Sequence, residues 1–270
     1  MNGVLYKRML GIKLKGLLQY AIGAAFYMLL MLGVYPSIAG NNSAVDEVIR
    51  SLPEGVSRAF GLGSGFGSVD AFISGEFYGL IMLVLLGVFT VQLSGTLMSR
   101  LIDQGSMAYL LSAPTTRGKI AWAQALVLVT GLLLVVGVTT LAGFAGYDWL
   151  IGGRYSFDGT AFVWMNVQAF LLFFALGGLS FLISSLSNEE KRAKGISGTV
   201  VFLFYTFDLL AKLSESLDWM KWLTPFSLYR PSDIVAGGGH LLLSGVVLFA
   251  LGVLCYAAAV MSFTRRDLPL

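Results

Sequence analysis

Charge is scarce in this chain. Asp, Glu, Lys and Arg make up 12% of its residues, against roughly a quarter in soluble globular domains, so a charged, water-facing surface of ordinary size cannot be built. Cysteine and histidine are scarcer still, with Cys255 and His240 the sole examples. One cysteine excludes an intramolecular disulfide, and one of each excludes the His/Cys clusters that hold structural or catalytic zinc. No Gly-x-x-x-x-Gly-Lys-Ser/Thr run is present, so the chain has no phosphate loop of its own; the segment from Gly61 to Gly67 has the glycines without the lysine. Buried ionisable groups, expected of a proton- or ion-coupled carrier, are missing from the first four apolar runs and the last. The net charge of +3 is too small to call for nucleic acid.

What remains is apolar. Hydrophobic residues account for 56% of the chain and the mean hydropathy is +0.78, which places it among integral membrane proteins. Charge-free runs approach the roughly 20 residues needed to cross about 30 Å of hydrocarbon. They predict six transmembrane helices, over 17–38, 77–98, 120–145, 161–186, 196–213 and 241–263, in one domain spanning 1–270. The first run is too long for the core of a cleavable signal and is expected to stay.

Lys and Arg placement orients the bundle. Lys7, Arg8, Lys13, Lys15, Arg100, Arg117, Lys119, Lys191, Arg192, Lys194, Arg265 and Arg266 fall on one side, and most carboxylates on the other. The basic side is cytoplasmic, with both termini on it. Residues 1–15 set Leu5, Met9 and Ile12 on one stripe among these cations, the pattern of an amphipathic helix lying in the membrane plane. In the first outer loop, two short amphipathic helices are predicted around Val45–Leu52 and Val56–Phe60, separated at Pro53. The last outer loop holds Trp219, Trp222, Phe226 and Tyr229 among Pro225, Pro231 and glycines, which suits either an interfacial aromatic belt or a short re-entrant cap.

Two sets of polar residues bear on mechanism. Asp208 precedes Lys212 by four positions near the outer end of the fifth helix, where an i, i+4 pair can face water. Gly178-Leu179-Ser180 and His240 invite comparison with an intramembrane serine protease, but the serine lies roughly 28 Å below the outer surface where the histidine sits. Nucleophile and base must approach to about 3 Å, so that reading is disfavoured.

The polar segment from Asp103 to Lys119 interrupts two long apolar runs on the cytoplasmic side. Asp103 is placed to cap a short helix over 103–114, Met107, Leu110 and Leu111 share one face, and Pro114 ends it. Such a stripe needs a surface, either the membrane interface or the groove of a partner. Here the sequence resembles the permease subunits of type-2 ATP-binding cassette (ABC) transporters, whose motif in this place runs from an acid through Gly-Thr to Leu-Leu-Ser-x-Pro and an Arg. In this chain it stands as Asp103, Gly105, Ser106, Leu110, Leu111, Ser112, Pro114 and Arg117, with Asp for Glu and Ser for Thr. Leu52-Pro53-Glu54-Gly55, Ala59-Phe60-Gly61, Leu223-Thr224-Pro225-Phe226-Ser227 and Phe263 through Pro269 extend the resemblance over essentially the whole chain.

The resemblance implies an all-α, six-helix exporter permease fold with an in-plane N-terminal helix. It implies a bacterial cell-membrane protein that is not itself an enzyme and holds no cofactor, with ATP and Mg bound by a separate ATPase subunit. A second permease copy or paralogue would complete a dimer within the lipid bilayer. Residues Asp103, Gly105, Ser106, Met107, Leu110, Leu111, Pro114 and Arg117 would couple to the ATPase, with Glu189 and Glu190 in a second contact. Phe89, Gln92, Phe204 and Phe207, on the second and fifth helices, would line the pathway. An apolar lining suits an amphiphilic small molecule or peptide; the alternative is a membrane sensor or scaffold that uses the ATPase without transporting.

Overall fold

The computed structural model describes residues 3–40, 51, 55–56, 67–112, 115–238 and 240–267. Among them six helices are long and apolar enough to cross a bilayer, Gly3–Ala39, Val69–Asp103, Arg117–Ile151, Gly159–Leu186, Glu190–Leu213 and Leu241–Arg265, the first to sixth spans below. No strand occurs among the described residues, and the protein is all-α. Each predicted run falls inside one of these helices. The amphipathic helices expected around 45–60 lie, apart from three positions, outside the described residues.

Local chemistry explains where the helices begin and end. The Ser68 hydroxyl accepts the Ala71 N–H at the start of the second span, Thr116 accepts that of Lys119 at the third, and Asp158 accepts those of Thr160 and Ala161 at the fourth. Each satisfies a donor that has no partner inside the helix. The third span closes on a π-turn, Tyr147–Ile151, followed by Gly152 and Gly153 at φ of 59° and 74°, a left-handed turn that side chains with a Cβ disfavour. A second π-turn, Phe77–Ile81, widens the second span near its outer end.

The basic N-terminal stretch is helical and continues without a break into the first span. Its direction nevertheless changes. The Tyr6 hydroxyl bonds Thr130 at 2.8 Å, and Leu17 packs on the neighbouring Gly131. A straight helix alongside the third span would separate those two contacts by about 16 Å. The segment before Leu17 therefore lies across the third span, and only the part after it runs with the bundle.

Small residues set the tightest packing. A Cβ on Gly252 of the sixth span would fall 2.4 Å from the Phe174 ring, and one on Gly178 of the fourth would fall 3.0 Å from the Gly252 carbonyl. Without hydrophobic drive between helices in lipid, such close backbone approach is what van der Waals contact and association depend on. The Gly178-Leu179-Ser180 run is thus a packing seam. Gly178 sits against Cys255, about 22 Å along the sixth span from His240, so serine and histidine lie at different depths.

The second span is interrupted at Met98, where φ and ψ of −120° and −73° break the helix before the short turn Ser99–Asp103. Ser184 of the fourth span mends the break. Its hydroxyl donates to the Ser94 carbonyl at 2.9 Å and accepts the Ser99 N–H at 3.1 Å. Within a bilayer, a backbone N–H freed in this way, here that of Ser99, needs such an internal partner.

Candidate functional site

Two regions of the bundle bear on function, the cytoplasmic face and a groove between the second and fifth spans. At the cytoplasmic face, Gly105 turns the chain at φ +68° and starts the helix Ser106–Ser112. Met107 is fully buried, and Leu110 and Leu111 pack partly against the same core. The stripe expected to meet the membrane interface or a partner is therefore seated on the protein's own bundle. What the helix presents outward is Tyr109, 82% exposed. Helical spacing already sets Tyr109 opposite the Met107 stripe, and a large aromatic left in water was the missed signal.

Asp103 also caps a helix other than the one expected. Its carboxylate accepts the Glu190 N–H at 3.2 Å, at the start of the fifth span, so the two cytoplasmic loops are tied together. Glu190 in turn pairs with Lys194 at 2.7 Å and Arg100 at 3.8 Å, and Lys13 lies within electrostatic reach of all three. The Ser106 hydroxyl donates to the Leu101 carbonyl, and Arg117 donates to the Arg266 carbonyl at 2.7 Å. Glu189 is exposed, and Pro114 lies outside the described residues. Of the residues expected to couple, the structure thus brings Asp103 and Glu190 together, while Arg117 belongs to a separate set with Arg266, Ser185 and Asn188.

The groove has a volume of about 220 Å³ and runs from Gln92 and Gly198 toward Leu83, Tyr205 and Phe226. None of its lining residues is charged. Of the four residues expected to line a pathway, only Gln92 lines this groove. Phe89 is buried on the other side of the second span, edge-on to Tyr20 at 5.2 Å and against Gly131. Phe204 packs partly on the core and Phe207 is half-buried; Phe202 and Tyr205 take their place on the fifth span. The second span is apolar on every face over its middle, and the fifth carries its charges only toward its two ends, so periodicity gave no phase for choosing among their aromatics.

The last outer loop combines the two readings its sequence allowed. Glu215–Leu223 leaves Trp219 and Trp222 exposed, as a belt would, while Pro225–Leu228 drives Phe226 inward. Phe226 packs between Tyr205 at 5.7 Å and Phe173 at 6.3 Å, at the outer end of the groove. Tyr229 holds this loop by donating to the Tyr78 carbonyl at 3.3 Å within the π-turn Phe77–Ile81. Burial pushes the Tyr229 hydroxyl well above its usual range, so it stays a neutral donor. The Asp208 to Lys212 pair forms at 2.6 Å, but Asp208 is only 5% exposed, so the acid is enclosed and the lysine reaches outward.

Six long apolar spans joined by short helical loops are the architecture of a multi-pass membrane protein. A model of the ABC-2 family transporter protein matches residues 15–268, and the chain belongs to that family. It is a multi-pass membrane permease of an ABC transporter, which implies an ABC ATPase partner. A search of curated proteins found no match.

Proposed function

We propose that this permease exports an amphiphilic or hydrophobic cargo, a drug, a peptide antibiotic or a lipid-like molecule, by alternating access. The observation that carries the reading is the uncharged groove, with the exposed Gln92 amide at one end and the buried Phe226 at the other. An apolar wall with one amide favours a cargo that is mostly hydrocarbon with a polar end. An amide left open at hydrocarbon depth costs free energy, which a second permease copy facing the groove would relieve. In this scheme ATP and Mg act on the partner subunit in the bacterial cell membrane. Closure of that subunit moves the Ser106–Ser112 helix through Tyr109, the motion passes to the fifth span through Asp103 and Glu190, and the second span pivots at Met98.

The test is the ATPase activity of the permease reconstituted with its ATPase in vesicles. Amphiphilic compounds should stimulate it and accumulate on the far side of the membrane, and Gln92→Leu should shift that response toward cargoes without a polar end. Stimulation by small hydrophilic solutes alone would overturn the cargo assignment, and amphiphile-stimulated hydrolysis without movement of cargo would favour a sensor.

A further inference from the structure

A second cavity, of about 460 Å³, opens at the cytoplasmic edge of the bundle, a size within the range of about 300–1,000 Å³ for small-molecule sites. Its walls divide by chemistry. Ile183 and Leu186 share one face at the end of the fourth span, and Ile196 follows Arg192 by one turn on the same face of the fifth. Leu186 is 52% and Ile196 42% exposed, so an apolar floor lies open where the spans leave the membrane. Above it stand two guanidinium groups, those of Arg192 and Arg266.

The two arginines are in different states. Arg266 donates to the Ser185 carbonyl at 2.9 Å and to the Asn188 side chain, and its own carbonyl is held by Arg117. Its cation is therefore fixed in place with donors left over from the five a guanidinium carries. Arg192 is exposed and, among the described residues, has no carboxylate within ion-pair distance. Among the described residues Glu189 is the one acid on the wall, which leaves their sum net positive.

We propose that this cavity binds an anionic phospholipid, with its phosphate between Arg192 and Arg266 and its acyl chains along Leu186 and Ile196. Guanidinium groups pair with phosphate through parallel N–H donors, and basic pockets between spans on the cytoplasmic side are where anionic headgroups are held. The apolar floor distinguishes the occupant from an ATPase surface, which would meet this edge from water, and from a free phosphate ester, which would not use the floor. A lipid wedged here would bridge the fourth, fifth and sixth spans beside the loop that joins the fourth to the fifth.

Native mass spectrometry of the purified full chain, titrated separately with phosphatidylglycerol and phosphatidylcholine, tests this. Phosphatidylglycerol should be retained more tightly, and Arg192→Gln should lower its affinity about fivefold, the effect of one cation near an anionic headgroup. Phosphatidylcholine retention should not change. Leu186→Gln should weaken phosphatidylglycerol while the chain's melting temperature without added lipid confirms an intact fold. Millimolar glycerol 3-phosphate should not displace the lipid. Equal retention of the two lipids, an unchanged preference in Arg192→Gln, or displacement by glycerol 3-phosphate would each overturn the proposal. So would loss of ATPase co-purification in Arg192→Gln with lipid preference intact, which would make this edge a protein contact.

Discussion

The Ser184 hydroxyl accepts the backbone N–H of Ser99 at 3.1 Å, at the point where the second span breaks. The same hydroxyl donates to the Ser94 carbonyl on the other side of the break. One side chain of the fourth span thus touches both halves of the interruption: it meets the Ser99 N–H, which would otherwise be left without a partner in a dry environment, and adds a second donor to the Ser94 carbonyl, which already accepts the Met98 N–H. It also sets where the cytoplasmic end of the second span can bend.

Ser184→Ala should therefore destabilise the purified protein by about 1–2 kcal/mol, the cost of leaving a buried backbone group without its partner, read as a lower melting temperature in detergent. Ser99→Ala should cost less, because the backbone N–H that meets Ser184 survives that change. Equal losses in the two variants would show that the side-chain contact between the serines, 3.1 Å apart, carries the stabilisation instead.

Tyr109 and Met107 should separate partner binding from folding. Tyr109 projects from the cytoplasmic helix at 82% exposure while Met107 is buried on its inner face. Tyr109→Ala should leave the melting temperature unchanged and reduce ATPase co-purification several-fold, as loss of an exposed aromatic anchor does. Met107→Ala should cost about 2 kcal/mol or more of stability through the cavity it leaves. Unimpaired ATPase capture by Tyr109→Ala would remove this helix as the docking element.

These two residues also show what the sequence made legible. Charge-free runs marked all six spans because a bilayer imposes length and composition on any helix that crosses it. The polar segment after Asp103 marked a helix because its i, i+3, i+4 stripe is a local property. Which way that stripe faced was not local: the bundle itself offered Met107 and Leu111 an apolar surface, and no spacing rule distinguishes that surface from a partner's. Asp103 was recognisable as a cap, yet its recipient, Glu190, is 87 positions away and becomes adjacent only through the fold. That Phe89 packs inward while Phe202 lines the groove was hidden for a related reason, since a span whose middle is apolar on every face gives no signal for which side meets protein and which meets the groove.

The glycine seam makes a prediction of opposite signs. Gly252→Ala should place its methyl carbon in the Phe174 ring, and Gly178→Ala should press on the Gly252 carbonyl. Each should lower stability by about 1–3 kcal/mol. Gly11→Ala has nothing within 4 Å of the added carbon and sits in the helical segment before Leu17, where alanine is favoured over glycine by about 0.5–1 kcal/mol. Melting temperatures should therefore fall for the first two and hold or rise for the third. A uniform fall would mean that the segment before Leu17 also packs closely on a second chain.

Phe226 offers the most direct probe of the groove. Its ring closes the outer end between Tyr205 and Phe173, and the loop that carries it is tied down by the Tyr229 hydroxyl on the Tyr78 carbonyl. Tyr229→Phe keeps the ring and removes the donor, so it should cost about 1 kcal/mol and loosen the loop without emptying the site. Phe226→Ala removes the closure itself. If the groove is the path of the cargo, a cysteine placed at Val88 should react with an impermeant thiol reagent from the outer side much faster in Phe226→Ala than in the parent, with Tyr229→Phe between them. Cys255, the one native thiol, is half-buried beside the packing seam and would be replaced with Ala to keep the readout clean. Equal labelling rates in all three proteins would show that Phe226 packs the core without gating the groove.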